Sequence, residues 1–85
     1  MLQAFQVICT SSVVAAFTEA ERREIAEWVM PLAEEKDTGV HEGLVFSFEA
    51  HGKLWNVVVD IGGRWLKILS KEEFESAVQD AVSRN

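Results

Sequence analysis

The second half of the chain alternates apolar and polar residues in three short segments, which two glycine-containing turns separate. His51-Gly52 and Gly62-Gly63 have the composition of two-residue hairpin turns, whose central residues take positive φ. If both turns are tight, the apolar cross-strand pairs of the two hairpins all lie on one face of the resulting sheet. These residues are Leu44, Phe46, Phe48, Trp55, Val57, Val59, Leu66 and Ile68. Because a slip of one residue would expose this whole set, the pattern predicts a three-stranded antiparallel sheet in one register. We call this side the apolar face.

The opposite side of the predicted sheet, the mixed face, combines apolar and polar residues. A tryptophan among aliphatic residues on an open sheet face is typical of the centre of a protein interface. We therefore predict a protein-binding patch of Trp65, Val58, Val45, Leu54 and Leu69. The alternative is that the N-terminal segment folds over this face and covers it. The remaining residues of the mixed face are Ser47, Glu49, Asn56, Asp60 and Lys67.

Two capping boxes predict two helices that flank the sheet. Ser70 precedes Glu73 by three residues, and Thr18 precedes Glu21 by the same interval, so each pair can satisfy backbone N–H groups at a helix start. Pro31 is expected to kink or interrupt the first helix near Met30, and residues 36–39 look like its end. Apolar stripes follow both boxes: Ile25, Trp28, Val29 and Leu32 in the first helix, and Phe74, Ala77, Val78, Ala81 and Val82 in the second.

The N-terminal segment is predicted only in part. Residues 3–9 have the pattern of a strand at a sheet edge, whereas residues 13–17 fit either a second short strand or an early helical turn. The whole chain has 85 residues, which is the size of one domain, residues 1–85. We predict an α+β fold of order β-α-β-β-β-α, with a three- or four-stranded antiparallel sheet and two helices packed on one face. Phe46, Val57 and Phe74 are expected in its core.

Charge narrows the range of partners. Fourteen acidic residues against eight basic ones give a formal net charge of −6, which repels nucleic acid and anionic membranes. Glu72, Glu73 and Glu75 also outnumber Lys71 at the start of the last helix. We expect no direct nucleic-acid binding and no membrane binding.

The first predicted helix is especially acidic. With Asp37, its glutamates account for half of the acidic residues of the chain within nineteen positions. The simplest interpretation is a solvated helix face. The more specific interpretation is an acidic surface that mimics the charge of nucleic acid. Its residues are Glu19, Glu21, Glu24, Glu27, Glu34 and Glu35.

Residues with catalytic or metal-binding chemistry are few. His41 and His51 lie at opposite ends of one predicted strand, more than about 20 Å apart at a strand rise of 3.3 Å per residue, so they do not form a metal site with the nearby Glu42 and Glu49. Cys9 stands in an apolar strand pattern and is expected to be a buried small hydrophobe rather than a nucleophile. We therefore predict no metal, no cofactor and no catalytic residue.

These observations favour a small non-catalytic protein-interaction module that acts through its sheet face or an edge strand, with another protein or itself as partner. One alternative is an acidic inhibitor, for example a viral protein directed against a host defence, that blocks a nucleic-acid-binding protein. A second alternative is an accessory subunit of an enzyme. A lone thiol fits a reducing compartment, and the apolar N-terminal residues lack the basic start of a signal peptide. The expected location is cytoplasmic.

Overall fold

The computed structural model describes residues 5–35 and 43–83, which form one mixed sheet and three helices. The α+β class is confirmed. The order of elements differs from the predicted one by an additional short helix, α1. The elements are β1 (Gln6–Cys9), α1 (Ser11–Ala16), α2 (Glu19–Glu35), β2 (Gly43–Ala50), β3 (Lys53–Asp60), β4 (Trp65–Ser70) and α3 (Lys71–Ser83).

The register of the three antiparallel strands is the predicted one. Phe46 pairs with Val57, which in turn pairs with Ile68. Val57 and Ile68 are fully buried, and Phe46 is half-buried against the core. The alternation of apolar and polar residues therefore sets both the pairing and the face that is buried.

The two hairpin turns reach this register in different ways. His51 and Gly52 have φ values of 54° and 70°, as a two-residue turn with positive φ requires. In the second turn the positive φ lies at Arg64, at 58°, rather than at a glycine, and the Arg64 N–H donates to the Ile61 carbonyl. Four residues, 61–64, separate β3 from β4 instead of the expected two. Asp60 still pairs with Trp65, so the register is unchanged.

The prediction of a purely antiparallel sheet is wrong. The strand order is β1-β4-β3-β2, and β1 pairs with β4 in parallel. A parallel neighbour needs a long crossover connection, and the chain between β1 and β4 supplies it. Phe5, Val13 and Phe17 are buried in the core with the apolar face. The buried side chains of this N-terminal segment thus join the apolar face instead of covering the mixed face.

Helix α2 covers the apolar face. Ala26, Val29 and Ala33 are buried in the core, and the Trp28 ring lies 6.1 Å from that of Phe48. Pro31 does not interrupt the helix, which continues to Glu35. Pro31 is exposed, so water can satisfy the carbonyl group that loses its N–H partner. The predicted helix end at 36–39 lies outside the described residues.

Helix α3 does not pack on the apolar face, contrary to the prediction of two helices there. It begins directly after β4 and contacts β3 and β4. None of its residues is buried. Phe74 is half-buried and does not belong to the core cluster. The Cα positions extend 38 × 34 × 17 Å. Since packed layers lie about 10 Å apart, the short dimension fits one sheet and one helical layer.

Candidate interaction surfaces

The residues of the predicted patch lie in different cross-strand pairs along the mixed face. Trp65 pairs with Asp60 near one end of β3, whereas Leu54 pairs with Glu49 near the other. Leu54 and Asp60 are six positions apart, which corresponds to about 20 Å at the strand rise. The predicted patch is therefore spread along the whole face and is not centred on Trp65.

Trp65 rests on the turn that precedes its own strand. A Cβ atom at Gly63 would lie 2.8 Å from both Cδ1 and Nε1 of Trp65. The indole therefore occupies the space above Gly63, and the tryptophan is half-buried. This contact stabilises the turn and reduces the ring area that remains for a partner.

The middle of the mixed face combines one exposed residue with several that are covered. Val45 and Val58 face each other across β2 and β3; Val45 is exposed and Val58 is half-buried. In the next row, Ser47 donates to Oδ1 of the buried Asn56 at 2.6 Å, and Asn56 pairs with Leu69. Leu69 is buried, so it is not available to a partner.

Helix α3 carries two exposed valines. Val78 is 45% exposed and Val82 is 68% exposed. Both belong to the apolar stripe that the sequence predicts for the protein core. In the structure, no described residue of this helix is buried, so neither valine is covered by residues 5–35 and 43–83 in the way that core residues are.

The acidic helix is partly neutralised by its own chain. Glu19 pairs with Arg23 at 3.4 Å and Glu34 with Arg64 at 3.9 Å. Glu21 closes the predicted capping box, in which it accepts the Thr18 N–H at 2.8 Å. Hydrogen bonds from the backbone and then the side chain of Thr18 lower the pKa of Glu21. The exposed glutamates of α2 with no ion pair inside the described ranges are Glu24, Glu27 and Glu35.

Glu73 joins the start of α3 to the start of α1. Its Oε1 accepts the Ser70 N–H at 2.8 Å and the Thr10 hydroxyl at 2.7 Å. Partial burial alone would raise the pKa of Glu73, but hydrogen bonds from Ser70, Thr10 and Ser12 lower it overall. The second predicted capping box is thus present, and it also ties the N-terminal segment to the last helix.

A groove beside α2 was not predicted from the sequence. It encloses about 330 Å³ between the N-terminal half of α2 and the end of β2. The sequence pattern places Trp28 in the apolar stripe of this helix, yet Trp28 is 44% exposed. The signal in the sequence is the spacing of Glu21, Glu24, Ile25 and Trp28, which places all four on one side of a helix. The groove is lined by Phe17, Glu21, Glu24, Ile25, Trp28, Phe48 and Ala50.

The candidate residues for chemistry are dispersed. Cys9 is half-buried and packs against the core. His51 is exposed at its turn, with its ring 4.9 Å from that of Phe17. Within the described ranges, no three His, Cys, Asp or Glu residues are grouped so that they could hold a metal ion. His41 and Glu42 lie outside these ranges.

Comparison with known proteins gives no relative: no family model, curated protein or solved structure matches the chain significantly. The described helices also include none that is long and apolar enough to cross a membrane.

Proposed function

We propose that this chain is a non-catalytic protein-interaction module, which binds another protein or a second copy of itself through α3 and the adjoining mixed face. The observation that carries the proposal is the apolar stripe of α3, since none of the residues of this helix is buried. Val78 and Val82 are the most exposed large residues of the stripe.

The length of α3 supports this proposal. It has 13 residues, and isolated helices shorter than about 12–15 residues are only marginally stable in water. The stability of most protein helices comes from the packing of their apolar side. Its capping box supplies part of the missing stability. A partner that covers the stripe would supply the rest, because burial of each valine removes apolar surface from water.

The sheet offers a second element of the same interface. β2 is an edge strand of eight residues in the four-stranded sheet, and edge strands pair readily with strands of other chains. Exposed Val45 lies on this strand and belongs to the mixed face. A partner that binds this face can therefore use both the backbone of β2 and an apolar side chain.

The acidic-inhibitor alternative has weaker support. Imitation of nucleic acid needs a series of free carboxylates, but three of the six glutamates of α2 already bind groups of their own chain. The exposed apolar side chains of α3 have no role in such a mechanism. The interaction module accounts for both features.

The test replaces both exposed valines of α3 by serine, in the double variant Val78→Ser/Val82→Ser. We expect the double variant to remain folded, because solvent-exposed changes usually alter stability by less than about 0.5 kcal/mol each. Light scattering across a concentration series will then show whether self-association is lost. The matched control is Val14→Ser, since Val14 is equally exposed but belongs to α1.

If the wild type is monomeric, the same three proteins serve as bait for capture of a partner from the source cell. A partner retained by wild type and Val14→Ser but lost by the double variant supports the proposal. The proposal fails if the wild type neither associates nor captures a partner in a manner that depends on α3.

A further inference from the structure

The groove between α2 and β2 differs in chemistry from the surface of α3. Its α2 wall carries both carboxylates and the Trp28 ring, and the opposite wall carries Phe48 of β2. The rings of Trp28 and Phe48 are 6.1 Å apart with an interplanar angle of 77°. The Phe17 and Phe48 rings are also 6.1 Å apart. Phe17 is buried, whereas Trp28 keeps almost half of its surface in solvent.

The carboxylates stand on the same side of α2 as Trp28. Glu21, Glu24 and Trp28 follow one another at intervals of three and four residues, so successive turns of the helix place them along the groove. Glu21 is held in place by its capping box with Thr18. Glu24 is exposed and has no ion pair inside the described ranges. The lining contains no lysine, arginine or histidine.

We propose that this groove binds a cationic side chain, lysine or arginine, of a basic peptide segment of a partner protein. The face of a tryptophan attracts a cation through its quadrupole, and the attraction increases when water is excluded. The carboxylate of Glu24 then lies within the same groove to pair with the charged end. The aliphatic part of the bound side chain would contact Ile25 and the aromatic rings, as long cationic side chains do on apolar surfaces.

Charge complementarity selects this occupant over an apolar one. An uncharged aliphatic side chain would bring the Glu24 carboxylate, which has no ion pair inside the described ranges, next to apolar atoms with no compensating charge. An acidic segment would be repelled by these groups and by the formal net charge of −6. This surface is independent of α3, so its test does not depend on the proposed function.

The experiment titrates the full chain, labelled with nitrogen-15, with three capped pentapeptides that are identical except at the centre. The central residue is lysine, arginine or norleucine, the last being an uncharged aliphatic residue of similar length. We expect the indole N–H signal of Trp28 to shift with the lysine and arginine peptides. The norleucine peptide is expected to bind at least about 10-fold more weakly, because it has neither the cation–π interaction nor the ion pair.

Matched variants test the aromatic ring and the carboxylate separately. Trp28→Leu keeps an apolar contact with β2 but has no aromatic face, and it should reduce affinity for the lysine peptide about 10-fold. Glu24→Gln should reduce it about 3-fold and weaken its dependence on salt. Glu27→Gln is the control, since it removes the same charge from α2 but Glu27 lines a cavity on another side of the helix. Equal binding of the norleucine peptide, or equal effects of the two glutamine variants, would overturn the proposal, as would the absence of any shift at Trp28.

Discussion

At the scale of single residues, the loop between β3 and β4 shows how a turn depends on the side chain that follows it. Gly62-Gly63 suggests a turn in which the glycines supply positive φ, yet Arg64 has that conformation. Gly63 is required for a different reason, namely the position of the Trp65 indole. The Arg64 guanidinium lies 4.4 Å from the centre of the Phe5 ring, so this loop also holds the N-terminal segment.

Substitution of Gly63 by alanine tests the role of this contact. A Cβ atom at this position would be 2.8 Å from two atoms of the Trp65 ring and 3.3 Å from Cγ of Asp60. The indole must therefore move, and we expect a loss of about 1–2 kcal/mol in the free energy of unfolding, typical of overpacking. Chemical denaturation measures this loss, and the emission of the tryptophans should change as well.

Gly43→Ala is the control for this prediction. A Cβ atom at Gly43 would have its nearest contact at 3.8 Å, to the Val59 carbonyl oxygen, which is ordinary van der Waals contact. Equal destabilisation by the two substitutions would show that the loss comes from the glycine backbone and not from the Trp65 ring.

At the scale of elements, what the sequence predicts depends on how local the signal is. Both capping boxes are present, because each needs only residues three positions apart. The hairpin register follows from the alternation of apolar and polar residues. The parallel pairing of β1 does not, since a strand of four residues carries no information on its direction. The apolar stripe of α3 predicts which side of the helix is apolar but does not identify what covers that side. For the same reason, the apolar stripe of α2 does not predict that Trp28 is exposed.

Glu73 gives a prediction about the junction between α1 and α3. Its lowered pKa means that the folded state favours the carboxylate. The carboxylate therefore stabilises the fold at pH values above its ordinary pKa of 4.5. This contribution is lost as the pH falls through the lower pKa of the folded state. Glu73→Gln should therefore lower the free energy of unfolding at pH 7 by about 1 kcal/mol. The difference from wild type should shrink toward pH 3. Denaturation at a series of pH values measures it.

Glu72→Gln is the control at this junction, because Glu72 also lies in the first turn of α3 but is exposed. Both substitutions remove one negative charge next to the helix N-terminus. If they reduced stability equally at pH 7, the effect would belong to the helix dipole, and the hydrogen bonds from Thr10 and Ser70 would not explain it.

At the scale of the whole molecule, two kinds of surface lie on different parts of the fold. The exposed aliphatic residues of the proposed interface lie on α3 and the β2 edge, whereas carboxylates and aromatic rings line the groove at α2. Contacts between valines do not weaken as salt rises, but a cation in the groove loses affinity because salt screens its charge. Salt dependence therefore distinguishes the two proposed modes of binding without identification of a partner.

The net charge of the chain should oppose its self-association. Two copies that approach each other each carry a formal charge of −6, so repulsion opposes the contact between their apolar surfaces. The Debye length falls from about 10 Å at 0.1 M salt to about 3 Å at 1 M. If the chain dimerises through α3 and the mixed face, the dimer should therefore become more stable as salt rises, and sedimentation equilibrium at both concentrations measures the change. Val45→Lys should weaken the dimer at both, because a lysine on an edge strand opposes the addition of another strand. A dimer that dissociates as salt rises, or one that Val45→Lys leaves unchanged, would place the contact elsewhere on the molecule.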